Sequence, residues 1–112
     1  MMHVTSPADV LSQLYATIES RKGADAKSSY IASLYEKGVD TIAKKVGEEA
    51  AETIIAAKND DDGAFVHELA DLWFHTLVLL AQRGLPLEAL SDELARRFGT
   101  SGHAEKASRA TG

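Results

Sequence analysis

No cysteine occurs among the 112 residues, which excludes disulfide scaffolds, thiolate metal sites and cysteine nucleophiles and fits a reducing compartment. Basic side chains are short of acidic ones, with 12 Lys and Arg against 17 Asp and Glu and a formal net charge of −5. Non-specific nucleic-acid binding needs Lys and Arg to neutralise phosphates, so that class is disfavoured, and a polyphosphate ligand would need a bridging metal or a local basic patch. The N-terminus, Met1-Met2-His3-Val4-Thr5-Ser6-Pro7, lacks the basic and apolar regions of a secretory signal. No apolar run approaches the roughly 18 residues of a membrane span. There is no internal repeat, no low-complexity segment and no stretch that reads as a strand. The expectation is a soluble, cytoplasmic chain with neither a nucleic acid nor a membrane as partner.

What is present is ordinary globular material, 45% hydrophobic and 26% charged, of a length that suits one domain spanning 1–112. Ser6 and Pro7 start a first helix whose apolar stripe is Val10, Leu11, Leu14, Tyr15 and Ile18, ending near Gly23. The polar stretch Arg21 to Ser28 carries Arg21, Lys22 and Lys27, which are candidates for a phosphate contact; a solvated loop is the plainer reading. A short helix spans about Ser29 to Lys37, with Gly38 as its stop. The next helix, capped by Asp40, runs to about Lys58 with Ile42, Val46, Ala50, Thr53, Ile54 and Ala57 as its apolar face. Gly47, costly inside a helix by about 1 kcal/mol, hints at close approach by another backbone or a ligand. After the break Asn59 to Gly63, an apolar helix reaches about Arg83, and Leu87, Leu90, Leu94 and Phe98 mark one more before Gly99. The tail 100–112 reads as polar and mobile; its Lys106 and Arg109 could close over a bound phosphate. The fold class is all-α, a helical bundle.

The helix from Phe65 to Ala81 is apolar around nearly its whole circumference, the pattern of a helix buried on most sides. Its polar exceptions, Glu68, Asp71 and His75, fall on one stripe. Such a helix has more apolar surface than partners of this size would cover, so self-association as a symmetric dimer is expected. On the preceding helix Glu48, Glu49 and Glu52 lie beside the apolar face. Glu49 and Glu52, like Glu68 and Asp71, are spaced i, i+3 and are therefore neighbours. Buried carboxylates are costly unless protonated, paired or metal-bound, and mutual repulsion adds to that cost. Oxygen-only ligands favour a hard divalent ion, Mg²⁺ with Mn²⁺ as a substitute. The dull readings are a solvated face for Glu48, Glu49 and Glu52, an ion pair of Lys45 with Glu49, and a structural bond from His75 to the Asp71 carboxylate. A di-iron bundle would require Glu-x-x-His on two helices, and Ala64 and Leu72 stand where those glutamates would precede His67 and His75.

Glu48-Glu49-x-x-Glu52 followed by Glu68-x-x-Asp71 resembles the EExxE…ExxD signature of the all-α, MazG-like nucleoside triphosphate pyrophosphatases. With Ser29-Tyr30, Leu34, Gly38, the run Ile42 to Glu49 and the run Asp71 to Leu80, the chain is similar over roughly Arg21 to Arg97 to the phosphoribosyl-ATP pyrophosphatase family within it. The resemblance implies a MazG-like bundle assembled as a dimer and Mg²⁺-dependent hydrolysis of phosphoribosyl-ATP to phosphoribosyl-AMP and pyrophosphate, the second step of histidine biosynthesis. It implies Glu49, Glu52, Glu68 and Asp71 as metal ligands, with Glu48 as a further ligand or, like Glu49, a group that activates water. Lys44, Lys45, Arg21, Lys22, Ser29, Tyr30 and His75 are the candidates for substrate and phosphate contact. Phe74 stands where the family more often has tyrosine. Two competitors share part of the pattern: a house-cleaning pyrophosphatase for non-canonical or deoxynucleoside triphosphates, and a non-enzymatic helical dimer.

Overall fold

The computed structural model describes residues 6–99 and 102–111, and every regular element among them is a helix. Helix α1, Pro7–Ser20, begins as its sequence dictates: Ser6 accepts a hydrogen bond from the Asp9 backbone N–H at 3.1 Å, and Pro7 occupies the first turn. Helix α2, Tyr30–Lys37, is capped by the Ser29 side chain, which accepts from the Ala32 N–H at 3.1 Å. Gly38, at φ +94°, separates α2 from α3, Val39–Ala57. That left-handed backbone favours glycine and lets two helices meet with no linker. Asp40 is consequently not the cap of α3 but lies in its first turn; Gly38 is the capping residue and offers no side-chain bond.

Helix α4, Asp62–Gln82, starts with the Asp61 side chain accepting from the Ala64 N–H. After Pro86 comes α5, Leu87–Arg96, which buries no residue fully. The tail expected to be mobile contains a sixth helix, α6, Gly102–Thr111, on which Lys106 and Arg109 are exposed. Alanines at 104, 107 and 110 supply the helical propensity that its polar composition masked. Residues 100, 101 and 112 of that tail lie outside the described residues.

The α3–α4 pair is the main packing interface, with α1 laid on α4 and α2 on α3. Between them sits a core of Tyr15, Ile18, Leu34, Ile42, Leu77, Val78 and Ala81. Full burial of a side chain such as Ile18, Leu34, Ile42 or Val78 contributes about 1.5–3 kcal/mol. Two tyrosines bring polar tips into this core without leaving them unsatisfied: Tyr15 donates to the Leu85 carbonyl, and Tyr35 donates to the Ile18 carbonyl at 2.9 Å. Burial pushes the Tyr35 hydroxyl up to about 12, so both remain donors at any physiological pH.

Three sequence expectations change. The buried stripe of α3 runs through Ile42, Glu49 and Ala56, with Val46 and Thr53 partly buried, while Ile54 is 61% exposed. The true period therefore rotates the core face toward Glu49 and away from Ile54 and Ala57. Helix α4 is enclosed around His75, Leu77, Val78 and Ala81, yet Trp73 stays 52% exposed and Val66 is also open. One chain does not cover its circumference. Gly47 is not a point of close approach within the chain, since a Cβ there would meet nothing within 4 Å. By length and composition α4 could cross a membrane; its place as the helix on which α1 and α3 both pack makes it the core helix of this fold.

Candidate active site

Helices α3 and α4 are joined by a short connection, so their facing stripes run side by side, and this carries Glu49 opposite Glu68 and Asp71. One carboxylate oxygen from each of these three lies within 4.8 Å of the others. Glu49 is buried, and Glu68 and Asp71 are half-buried. Thr53, placed by its sequence on an apolar face, fixes this geometry: its hydroxyl reaches the Glu49 carbonyl at 2.7 Å and the Glu68 carbonyl on the other helix at 3.1 Å. A β-branched hydroxyl one turn after a buried acid was the only sequence signal for it.

The electrostatics of the three acids are unfavourable as they stand. Burial, then a hydrogen bond with the Glu52 carboxyl and the charges of Glu52 and Asp71, push the Glu49 carboxyl above its ordinary value. For Glu68 the hydrogen bond with Glu52 is the leading cause of the same upward shift, followed by burial. Glu52, though exposed, thus lies close enough to both acids to push their pKa values up, while the three oxygens that converge are those of Glu49, Glu68 and Asp71. The outer oxygens Glu49 Oε2 and Glu68 Oε2 are buried with no hydrogen-bond partner. Orphaned anionic oxygens are strongly disfavoured unless a proton or cation meets them. Donors on opposite sides of a Mg²⁺ ion lie about 4.2 Å apart, twice the bond length of roughly 2.1 Å. Three oxygens that all lie within 4.8 Å of one another are near enough to converge on one such ion, and hard oxygen ligands suit it.

The remaining candidates divide. Glu48 stays outside the cluster, half-exposed and paired with Lys45 at 3.6 Å; that pair replaces the expected Lys45–Glu49 contact because Glu49 turns inward. Lys44 is exposed on the same helix. His75 does not bond the Asp71 carboxylate. Its Nδ1 lies 2.8 Å from the Asp71 carbonyl and its Nε2 lies 2.9 Å from the Tyr30 hydroxyl. A carbonyl can only accept, so Nδ1 carries the proton and Tyr30 donates to Nε2. The Nε2 bond ties α2 to α4, and the Nδ1 bond, made within α4, fixes the ring of this buried histidine. The side chain beside the Asp71 carboxylate is instead His67, at 3.5 Å, a residue that its i, i+4 spacing could have revealed.

Beyond His75 the loop after α1 closes a second feature, a pocket of about 530 Å³ lined by Arg21, Ala24, Ser28, Ser29, Tyr30 and Phe74, with Ile31 also on its wall. Ser29 lines it while its hydroxyl serves as the cap of α2. Lys22 lies over the Tyr35 ring, 5.7 Å from the centroid, and is not among the lining residues.

Among the described residues, which are helical wherever they are regular, acids from two helices converge as a set that could hold a metal ion, and a pocket with one arginine and two aromatic rings lies on the same bundle. Comparison with known proteins gives the assignment. A sequence model of the phosphoribosyl-ATP pyrophosphohydrolase family matches residues 11–98. Proteins named phosphoribosyl-ATP pyrophosphatase are similar along nearly their whole length: one from Methylococcus capsulatus is 58% identical over 104 residues, covering 93% of this chain and 99% of the relative. Another, from Trichlorobacter lovleyi, is 56% identical over 106 residues, 95% of this chain and 98% of the relative. A third, from Hydrogenovibrio crunogenus, is 52% identical over 105 residues, 90% of this chain and 93% of the relative. The chain belongs to the phosphoribosyl-ATP pyrophosphohydrolase family and is an enzyme, a hydrolase.

Proposed function

We propose that this chain hydrolyses phosphoribosyl-ATP to phosphoribosyl-AMP and pyrophosphate, the second step of histidine biosynthesis, in the cytoplasm. The observation that carries the reading is the pair of buried, unpartnered oxygens on Glu49 and Glu68, held within reach of Asp71 in a chain of this family. In the reaction water adds across the anhydride between the α- and β-phosphates; one proton of the water leaves to a base and the pyrophosphate departs. Glu49, Glu52, Glu68 and Asp71 are the residues that would hold Mg²⁺, or Mn²⁺ in its place. Bound there, the ion would supply neutralisation of the charge that builds on the phosphate oxygens. Glu49, buried and with an oxygen within 4.8 Å of those of Glu68 and Asp71, would accept the proton from water as a general base. Glu48, outside the cluster and paired with Lys45, would orient the water once that pair opens, and Lys44 and Lys45, on the same helix, would meet the departing phosphates.

The working unit in this proposal is a homodimer with a MazG-like bundle. Support comes from apolar surface that one chain leaves open: Ile54, Ile55, Val66, Trp73 and Leu94 are each at least half exposed. Helix α5 and the open side of α4 also bound a groove of about 640 Å³ whose lining includes Leu11, Leu72, Trp73, Leu87 and Leu90. Contiguous apolar patches of this kind mark interfaces more often than free surface. Light scattering at micromolar concentration should give a dimer; a monodisperse monomer would overturn that part.

The activity is tested by incubating the purified protein and Mg²⁺ with phosphoribosyl-ATP and with a panel of ordinary, deoxy and non-canonical nucleoside triphosphates, and quantifying pyrophosphate. Preferential release from phosphoribosyl-ATP is expected. Release from the deoxy or non-canonical triphosphates with phosphoribosyl-ATP left intact would replace this reading with a house-cleaning one.

A further inference from the structure

The 530 Å³ pocket beside His75 takes no part in the chemistry described above, and its lining has a composition of its own. Tyr30 and Phe74 form an offset, nearly parallel pair, with centroids 6.3 Å apart and an interplanar angle of 20°. His75 meets both rings edge-on, at 5.9 and 5.1 Å. Phe74 is packed against the core, whereas Tyr30 is 51% exposed, so a π-face is available at the mouth. The tyrosine ring is held there rather than free to swing, because its hydroxyl is bonded to a histidine whose other nitrogen is anchored to the Asp71 carbonyl. Arg21, at the C-terminal cap of α1, brings the one cationic side chain of the lining.

The position of the pocket sets what could reach it. Phe74 follows Asp71 by three residues and Glu68 by six on α4, offsets of about 4.5 and 9 Å along the axis at 1.5 Å per residue. A triphosphate held at the acids would therefore carry its ribose and base to the Tyr30–Phe74 rings. A second phosphate beyond the base would meet the one cationic side chain of the lining, Arg21.

Resting on the substrate class proposed above, we infer that this pocket is the specificity subsite: Tyr30 and Phe74 stack the purine, and Arg21 binds the monophosphate of the extra phosphoribosyl group. Arginine and aromatic faces suit these two jobs, a forked charge-assisted bond to phosphate and sequence-tolerant stacking of a base. The arrangement separates the work spatially. The acids act on what every nucleoside triphosphate has, and the pocket reads what distinguishes phosphoribosyl-ATP from ATP.

The test is the affinity of phosphoribosyl-AMP and of AMP, measured by calorimetry without turnover, for the parent, Arg21→Ala and Phe74→Leu. The parent should prefer phosphoribosyl-AMP. Arg21→Ala, an exposed change that leaves the core untouched, should lower the affinity for phosphoribosyl-AMP about tenfold and erase the preference. Phe74→Leu keeps apolar volume and removes the π-face, and should weaken both ligands by a similar factor, the scale of one base–aromatic stack. An undiminished preference in Arg21→Ala, or parent-like affinity for both ligands in Phe74→Leu, would overturn the subsite. Turnover of phosphoribosyl-ATP by the parent is measured alongside. If that turnover is normal while the preference survives Arg21→Ala, only the subsite falls; absent turnover with no preference in the parent removes the substrate assignment, and the subsite with it.

Discussion

Two groups of glutamates in this chain have the same chemistry and opposite fates. On α5, Glu93 accepts from Arg96 at 3.1 and 2.7 Å and from Arg97 at 3.2 Å, and these guanidinium bonds hold its carboxyl down to about 2. On α3 and α4, Glu49 and Glu68 lie beside Glu52 and Asp71, with His75 and His67 as the nearby counter-charges among the described residues, and both are pushed up. Glu93 is a satisfied surface acid, an i, i+3 and i, i+4 ion-pair set of the sort that contributes little to stability. The other cluster is under stress in the bare chain. The difference lies not in charge or helical spacing, which both groups share, but in whether guanidinium groups meet the carboxylate, as they do at Glu93 and do not at Glu49 and Glu68.

The comparison can be broken most forcefully at Glu68 and Asp71. Glu68→Gln and Asp71→Asn nearly preserve shape and remove charge, and each should lower kcat at least about a hundredfold, the scale of losing a group that acts directly on the reacting centre. The metal-free variants should melt no lower than the parent, because repulsion is relieved. Mg²⁺ at a hundredfold excess over its Kd should stabilise the parent by about 2.7 kcal/mol. At roughly 4–8 °C per kcal/mol for a domain of this size, that is a rise of roughly 10–20 °C, and it should shrink in both variants. Full activity, or an equal Mg²⁺ shift in variant and parent, would mean that the acids are only another Glu93.

A smaller effect sharpens the contrast through pH. Carboxyls whose folded pKa is raised bind more protons folded than unfolded between the two values, so the metal-free protein should lose stability as pH rises above about 4.5 through the raised pKa values of Glu49 and Glu68. Glu93 has the opposite sign: its folded value is about 2, so its contribution is present above the ordinary carboxyl range and fades as pH falls toward 2. Denaturant melts across pH 4 to 8, in chelator and in Mg²⁺, should show the downward slope only in chelator and only when Glu49 and Glu68 are intact. A slope unaltered by Glu49→Gln would show that other groups cause it.

The smallest expected change is at Glu93 itself. Glu93→Gln should leave turnover of phosphoribosyl-ATP and the Mg²⁺ shift as they are in the parent and alter the melting temperature least of the variants named. A loss of activity there would place α5 in the working machinery, where nothing in its exposed ion pairs now puts it.

Much of this molecule was legible in one dimension. Ser6, Ser29 and Gly38 mark helix ends because capping and left-handed backbone are local matters of a few residues, and the pairing of Glu49 with Glu68 and Asp71 could be anticipated from i, i+3 spacing and the expense of burying acids. Local rules also misplaced some things. They gave Asp40 the cap that Gly38 holds, put Ile54 inside, and marked no helix where α6 forms. A helical stripe inferred from hydrophobicity alone cannot include Glu49, which is buried at a core position of α3 and so rotates the whole face.

What only the tertiary structure decided are the contacts between elements distant in the chain. His75 is committed to Tyr30, 45 residues away, and to a carbonyl rather than the Asp71 carboxylate. Thr53 ties the two acid-bearing turns together, Arg21 meets Phe74 across a pocket, and Lys45 pairs with Glu48 once Glu49 has turned inward. The sequence by itself marked helices α1 to α5 and set the acids of α3 and α4 at helical spacing, since propensity, periodicity and charge are carried by neighbouring residues. Which oxygens are left without a partner depends on how two helices are rotated against each other, and that angle is set by the packing of side chains from the entire chain.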